Sequence, residues 1–368
     1  MRRVVVIIAA LLATGTAVGS ARQASTAGPY KVLKTAKTGG LGGFDYIYAD
    51  VAGRRLYIPR GAVQGASPSP ARITVFNLDT LAPAGEIANT RANGAAVDVK
   101  SGHGFASSKP VAMWDTKTLA IIKTIDVQGN PDGILDDPFN QRVYVFSHAA
   151  PHVTVIDAKD GALLGTIDLG GAPEQAATDD RGHIYVDVSD KSNVAVIDAK
   201  TMTVTAHYDL GDKGSALAGL ALDVKNHVLF VACRNSGAAE QGGPLKPMMV
   251  ILNAEDGKII TSLPLAGSSD GAVFNPATME AFSSHGNGTM TIVKETSPTS
   301  FEIEQTLETM AGAKTLTLDS KTNHILTMAA EYGPAPAPAT PPPTGAPAGR
   351  GARGPMLPDS FSILVVGK

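Results

Sequence analysis

Cysteine is almost absent: Cys233 is the sole thiol in a chain of 368 residues. One cysteine excludes a disulfide within the chain, a thiolate metal cluster and a CxxCH haem attachment. It closes the apolar run VLFVAC at residues 228–233 and reads as a small buried hydrophobe. Aromatic residues make up 5% of the chain, with one tryptophan, Trp114. No block of lysine or arginine occurs, and the formal charge is −3. Single-stranded nucleic acid needs a basic groove with stacking rings, and this composition does not offer one. Past the first residues, no apolar run approaches the roughly 20 residues of a membrane-spanning helix.

What is present begins with a short apolar run, residues 4–13, preceded by Arg2 and Arg3 and followed by the small residues Gly19, Ser20 and Ala21. Charge, greasy core and small-residue site in that order are a secretory signal. The expectation is removal of residues 1–21, a flexible stretch at 22–29, and a periplasmic or secreted chain without a membrane anchor.

The rest of the chain repeats itself. Residues 153–167 read VTVIDAKDGALLGTI and residues 194–208 read VAVIDAKTMTVTAHY. The same length and pattern recur at residues 73–87 (ITVFNLDTLAPAGEI), 111–125 (VAMWDTKTLAIIKTI) and 249–263 (MVILNAEDGKIITSL), with a looser copy starting at Met290. The fifth position is Asn77, Asp115, Asp157, Asp198 or Asn253, whose side chain can bond the backbone ahead and start a turn. Two apolar runs around such a turn predict a β-hairpin. Two more strand-like runs precede each hairpin, so a unit has four strands, a to d, recurring every ~41 residues, as in a β-propeller blade. The b strands fall at residues 55–59, 104–107, 143–147, 184–188, 229–233, 280–284 and 325–329, which predicts seven blades. The last blade lacks a fourth strand, and residues 30–38 have no blade of their own. The fold expected is therefore all-β: a seven-bladed propeller over residues 30–368, closed by an N-terminal strand that completes the last blade and removes an open sheet edge.

The segments NVAVID and AKTMTV at residues 193–204, with YVFS at 144–147, YVDV at 185–188 and YIPR at 57–60, resemble the YVTN-repeat β-propeller family. The first two letters of the family motif are kept or nearly so, and the last two are not. The resemblance spans nearly the whole chain after the signal and implies the WD40-like propeller fold. It does not imply one activity, because similar propellers serve hydrolysis, redox chemistry, DNA binding and cell-surface roles.

A propeller gathers the loops entering strand a and leaving strand b on one face, around its channel. Five residues before the Asp or Asn that ends each strand a stand Asp45, Asn93, Asp132, Glu174, Ala218, Asp270 and Lys314. Just after each strand b stand Arg60, Ser108, His148, Ser189, Arg234, His285 and Glu331. The first set is mainly acidic and the second holds two imidazoles and two guanidiniums, a polar funnel suited to an ion or polar ligand. The candidate ligand-binding residues are Asp45, Arg60, Asp132, His148, Glu174, Arg234, Asp270, His285, Lys314 and Glu331. For a divalent metal, the candidates are Asp132, His148 and Glu174. The insertions at residues 61–71, 236–247 and 332–358 are all b–c connections. The last is rich in Pro, Ala and Gly and predicts a disordered loop at about 333–358.

No nucleophile–base pair is legible. The leading reading is a monomeric exported scaffold that binds a small polar ligand, peptide or cell-envelope partner on its funnel face. The alternative is a metal-assisted or acid–base hydrolase of a lactone-like substrate, using Asp132, Glu174, His148, Asp270 and His285. Single-stranded DNA binding comes third.

Overall fold

A computed structural model describes residues 26–64, 68–236, 244–335 and 354–368. The expected signal and most of the proline-rich insertion lie outside these residues. Among the described residues there are 28 strands and no helix.

The strands form seven antiparallel four-stranded sheets. Strand β1 (Lys31–Lys37) comes first. Blade 1 is β2 (Tyr48–Asp50), β3 (Arg55–Arg60), β4 (Arg72–Asn77) and β5 (Pro83–Ile87), and blade 2 is β6 (Ala92–Asp98), β7 (His103–Ser108), β8 (Val111–Asp115) and β9 (Ile121–Ile125). Blade 3 is β10 (Pro131–Asp137), β11 (Arg142–Ser147), β12 (Val153–Asp157) and β13 (Leu163–Ile167), and blade 4 is β14 (Pro173–Thr178), β15 (His183–Val188), β16 (Asn193–Asp198) and β17 (Thr203–Asp209). Blade 5 is β18 (Ser215–Asp223), β19 (Val228–Asn235), β20 (Met248–Asn253) and β21 (Ile259–Pro264), and blade 6 is β22 (Ser269–Asn275), β23 (Glu280–His285), β24 (Thr289–Ser297) and β25 (Ser300–Glu308). Blade 7 is β26 (Leu316–Asp319), β27 (His324–Ala329) and β28 (Ser362–Gly367), with β1 as its outermost strand, Lys31 opposite Gly367 and Lys37 opposite Ser362. The expected seven blades and N-terminal closure are therefore both present.

The core lies between blades rather than at a centre. A separate apolar cluster fills each interface, such as Val186, Val188 and Ile197 of blade 4 against Tyr144, Phe146 and Val155 of blade 3. Both faces of the middle strands are buried, which is why they read as unbroken apolar runs such as VLFVAC. The outer strands alternate or are exposed.

The repeated hairpins turn as their sequence predicts. Asn77 Oδ1 accepts the backbone N–H groups of Asp79 and Thr80, and Asp115 and Asp198 do the same two and three residues ahead. The looser copy in blade 6 has Lys294 at this position and forms a longer hairpin of two nine-residue strands instead. At the described ends of the proline-rich insertion, Tyr332 bridges Met356 and the Gly333 N–H donates to the Pro355 carbonyl at 2.8 Å.

Candidate functional site

The funnel is built where the inner strands begin. In blades 2 to 6 the register of the inner strand slips at its entry, between Ala92 and Ala95, Pro131 and Ile134, Pro173 and Ala176, Leu217 and Gly219, and Ser269 and Gly271. A bulge re-aims the side chain it carries. The bulged residues are Asn93, Asp132, Glu174, Ala218 and Asp270, which belong to the set read from the sequence. Asp45 and Lys314 occupy the same place ahead of β2 and β26.

These side chains form a chain of polar contacts around the mouth. Lys314 Nζ lies 3.4 Å from Asp45 Oδ1 and 3.1 Å from Asp270 Oδ2. Arg234 meets Asp270 Oδ1 at 2.7 Å and Glu174 Oε1 at 3.4 Å, and its Nε donates to the Ser269 carbonyl. His148 Nε2 is 3.3 Å from Asp132 Oδ2. Asn93 Nδ2 donates to Asp132 Oδ1 at 2.7 Å, and the Tyr46 N–H donates to the Asn93 carbonyl. The contacts join blades 1, 7, 6, 5 and 4 in that order and blades 3, 2 and 1 in theirs, while donor atoms of Glu174, Asp132 and His148 approach one another within 4.8 Å.

Burial and charge set the titration of the ring. Burial raises Asp45 above the usual carboxylate range, against the pull of Lys314. Burial likewise raises Glu174, with Arg234 opposing it and Asp132 adding to it. Burial acts the same way on Asp270, but Lys314 and Arg234 together outweigh it and hold this carboxyl low. Four carboxylates thus face two permanent cations and one imidazole, and both cations hold Asp270.

Two side chains cross the channel. The Tyr46 hydroxyl of blade 1 reaches Asp132 Oδ2 at 3.4 Å and the Glu174 carbonyl at 3.5 Å. Gln175 of blade 4 accepts the N–H groups of Leu220 and Ala272 and donates to the Ala272 carbonyl. The position after the ring residue is Gly94, Gly133, Gly219 or Gly271 in four other blades. At Gly219 a Cβ would come within 2.7 Å of the Gly271 backbone, and at Gly133 within 2.8 Å of the Glu174 carbonyl. The glycines let the inner strands converge, and Tyr46 and Gln175 fill the space that remains. Below them the channel is a cavity of about 370 Å³ lined by Tyr48, Ile134, Asp136 and Thr178. Tyr46, Asn93 and Gln175 were not among the candidates, although the repeated Gly after the ring residue marks the place where Tyr46 and Gln175 stand.

Three candidates lie outside the ring. Arg60 is 1% exposed, its guanidinium 3.8 Å above the Phe361 ring and bonded to the carbonyls of Gly40 and Gly42. His285 is 0% exposed, its Nε2 3.0 Å from Thr291 Oγ1, and burial pushes its pKa down to about 3. Glu331 sits at the base of the proline-rich insertion, where its carbonyl accepts the Leu357 N–H. The reason for the first two is register. Pro59 pairs with Ile73, Phe146 with Val153, Ala232 with Met249 and Ser284 with Met290. His148 and Arg234 stand two residues past these equivalent positions and face the funnel. Arg60 and His285 stand one residue past, so they point into the blades.

A second cavity, of about 770 Å³, opens on the same face beside the ring. Its lining includes Ser189, Ser192, Ser215, Ser268, Asn235 and the exposed Leu245, with Arg234, Asp270 and Lys314 on the ring side.

Neither protein-family models nor curated proteins give a match to this sequence. Solved structures do match. A chain of the mitotic checkpoint complex superposes with a TM-score of 0.66 at 10% identity, covering 87% of this chain and 95% of that one. The Pan2 WD40 domain of Neurospora crassa gives 0.63 at 10% identity, covering 92% and 95%. A chain of Kuenenia stuttgartiensis hydrazine synthase gives 0.63 at 17% identity, covering 78% and 92%. At such identities the likeness is one of fold, and it places this chain among WD40-type propellers in architecture.

Proposed function

We propose that this chain is an exported binding propeller of the YVTN-repeat kind, and that its funnel face captures a small polyhydroxylated ligand, neutral or cationic. One observation carries the reading: a ring of fixed donors and acceptors opens sideways into a serine-lined cavity. Hydroxyl groups on a ligand can both donate to the carboxylates and accept from Arg234, Lys314 and the serines. The excess of carboxylates over permanent cations disfavours an anion, and Leu245 supplies an apolar surface for the carbon face of a sugar-like ring. The kinship rests on the VAVIDAK-type hairpins, and export rests on residues 1–21.

The test uses protein recovered from the cell envelope or medium, with its N-terminus read by mass spectrometry. Chelator-treated protein is titrated calorimetrically with neutral sugars, amino sugars, polyols and their anionic counterparts. Saturable binding of a neutral or cationic compound is expected, weakened at least roughly tenfold by Ser268→Leu, which fills the cavity by about three carbons at a rim position. The unliganded melting temperature should be unchanged. Binding of anions only, no binding across the panel, or binding that ignores Ser268→Leu would defeat the proposal.

A further inference from the structure

We propose that Asp132, His148 and Glu174 form a site for one divalent transition-metal ion of the Zn2+ or Mn2+ class. One donor atom from each of these residues lies within 4.8 Å of the other two. Two adjacent blades supply them, and imidazole and carboxylate ligands bind such metals at ~2.0–2.2 Å, so the three side chains would close on the ion as it binds.

The surroundings of each donor are those of a held ligand. Asn93 Nδ2 grips Asp132 Oδ1 and leaves Oδ2 turned toward His148 Nε2. Arg234 holds Glu174 through Oε1. Outer partners of this type set the orientation of metal-binding carboxylates. The His148 side chain is 39% exposed, so the open side of the cluster faces the funnel, where water or a ligand hydroxyl can complete the coordination.

Charge supplies an independent reason. Asp45 and Asp270 have Lys314, and Asp270 and Glu174 have Arg234, whereas Asp132 has an imidazole as its nearest basic partner. Asp187, behind Glu174 on the blade 5 side, does not add to this: burial pushes its carboxyl well above the usual range and favours the neutral acid. It is 0% exposed, and neither carboxylate oxygen has a hydrogen-bond partner. It lies across the β14–β15 ladder from the bulge that carries Glu174 and Gln175, between the pairs Pro173–Val188 and Ala176–Val186. The Glu174 carboxylate reinforces that rise and Arg234 opposes it. The equivalent positions in blades 1, 3, 5 and 6 are Pro59, Phe146, Ala232 and Ser284, all uncharged. Asp132 is thus the ring carboxylate that lacks a permanent cation beside it, and a divalent cation held with His148 and Glu174 supplies that charge. The imidazole selects against Mg2+ and Ca2+, which prefer oxygen-only shells.

This inference stands apart from the ligand proposal, because Ser268→Leu leaves these three residues in place and a His148 substitution leaves the serine-lined cavity intact. Chelator-treated protein is titrated with Mn2+ and Zn2+ by calorimetry, and the ion-to-chain ratio is read by inductively coupled plasma mass spectrometry. One ion per chain is expected, with Ca2+ and Mg2+ at least roughly tenfold weaker. His148→Ala and Asp132→Asn should each weaken binding by roughly tenfold or more, and Asn93→Ala should weaken it less, since Asn93 acts through Asp132. In the unsubstituted protein, Mn2+ should broaden the ring resonances of His148 before those of the other histidines, a readout that does not depend on a variant folding. The proposal is overturned by the lack of a stoichiometric ion at sub-millimolar free metal, by an affinity that His148→Ala leaves unchanged, or by broadening centred on another histidine.

Discussion

Asp136 has a carboxyl that faces the channel cavity, and its Oδ1 is buried without a hydrogen-bond partner. Burial, reinforced by Asp98, Asp137 and Asp180, raises its pKa from 3.8 to about 8. The folded chain therefore holds this proton more tightly than the unfolded chain does. Its contribution to stability is fully present below about pH 4 and is lost as pH rises through about 8. Asp136→Asn should leave stability unchanged at pH 4 and raise it at pH 8 by at least about 1 kcal/mol. Urea denaturation at the two pH values checks this, and an equal effect at both would show that ionisation is not the cause. At this scale the sequence was informative where blade symmetry applied. Asp45, Asp132, Glu174, Asp270 and Lys314 could be found by counting back from each strand end. Arg60 and His285 could not be told from His148 and Arg234, because the varying length of the b–c connections hides a one-residue difference in register. Asp187 was invisible for a related reason: nothing local marks which face of a buried strand it occupies.

Among the elements, the a–b turns share one backbone feature. The residue before strand b has a positive φ in all seven blades, at Arg54, Gly102, Gln141, Gly182, His227, Met279 and Asn323. Only two are glycine, so five side chains accept the left-handed conformation at a cost of about 1–2 kcal/mol each. His227, at φ 56°, makes only a loose approach of 3.8 Å to Glu255. His227→Gly should stabilise the fold by about 0.5–1 kcal/mol, the relief of strain less the entropy of a freer unfolded chain. A lower denaturation midpoint would show that the imidazole contributes more than the turn costs. The hairpins were legible because their signal is local: an Asx residue, its turn and two apolar runs. The entry bulges were not, because they depend on which residue of the next strand lies opposite. The crossing of Tyr46 and Gln175 depends on inner strands distant in sequence.

For the whole molecule, the count of blades and the manner of closure followed from the period and from the unpaired segment at each end of the repeat. Closure is more extensive than one strand pair. Thr26 bonds the backbone of Thr306, and Gln305 clamps both backbone groups of Tyr30, so the N-terminal segment also binds the outer strand of blade 6. The Tyr30 ring packs edge-on against Phe282, and its hydroxyl donates to Glu280, which also receives Lys368 at 2.8 Å. Tyr30→Ala should cost about 3–5 kcal/mol in equilibrium unfolding. A loss below 1 kcal/mol would mean that the ring closes without this anchor.

Because β1 pairs with β28, the first of the 28 described strands to leave the ribosome must wait for the last of them. Until then the growing chain carries an unmatched strand at each end, each able to pair with another copy. The polar ring shares this timing, since Asp45 meets Lys314 only once the seventh blade arrives. An intact funnel mouth therefore reports that the seventh blade has joined the first.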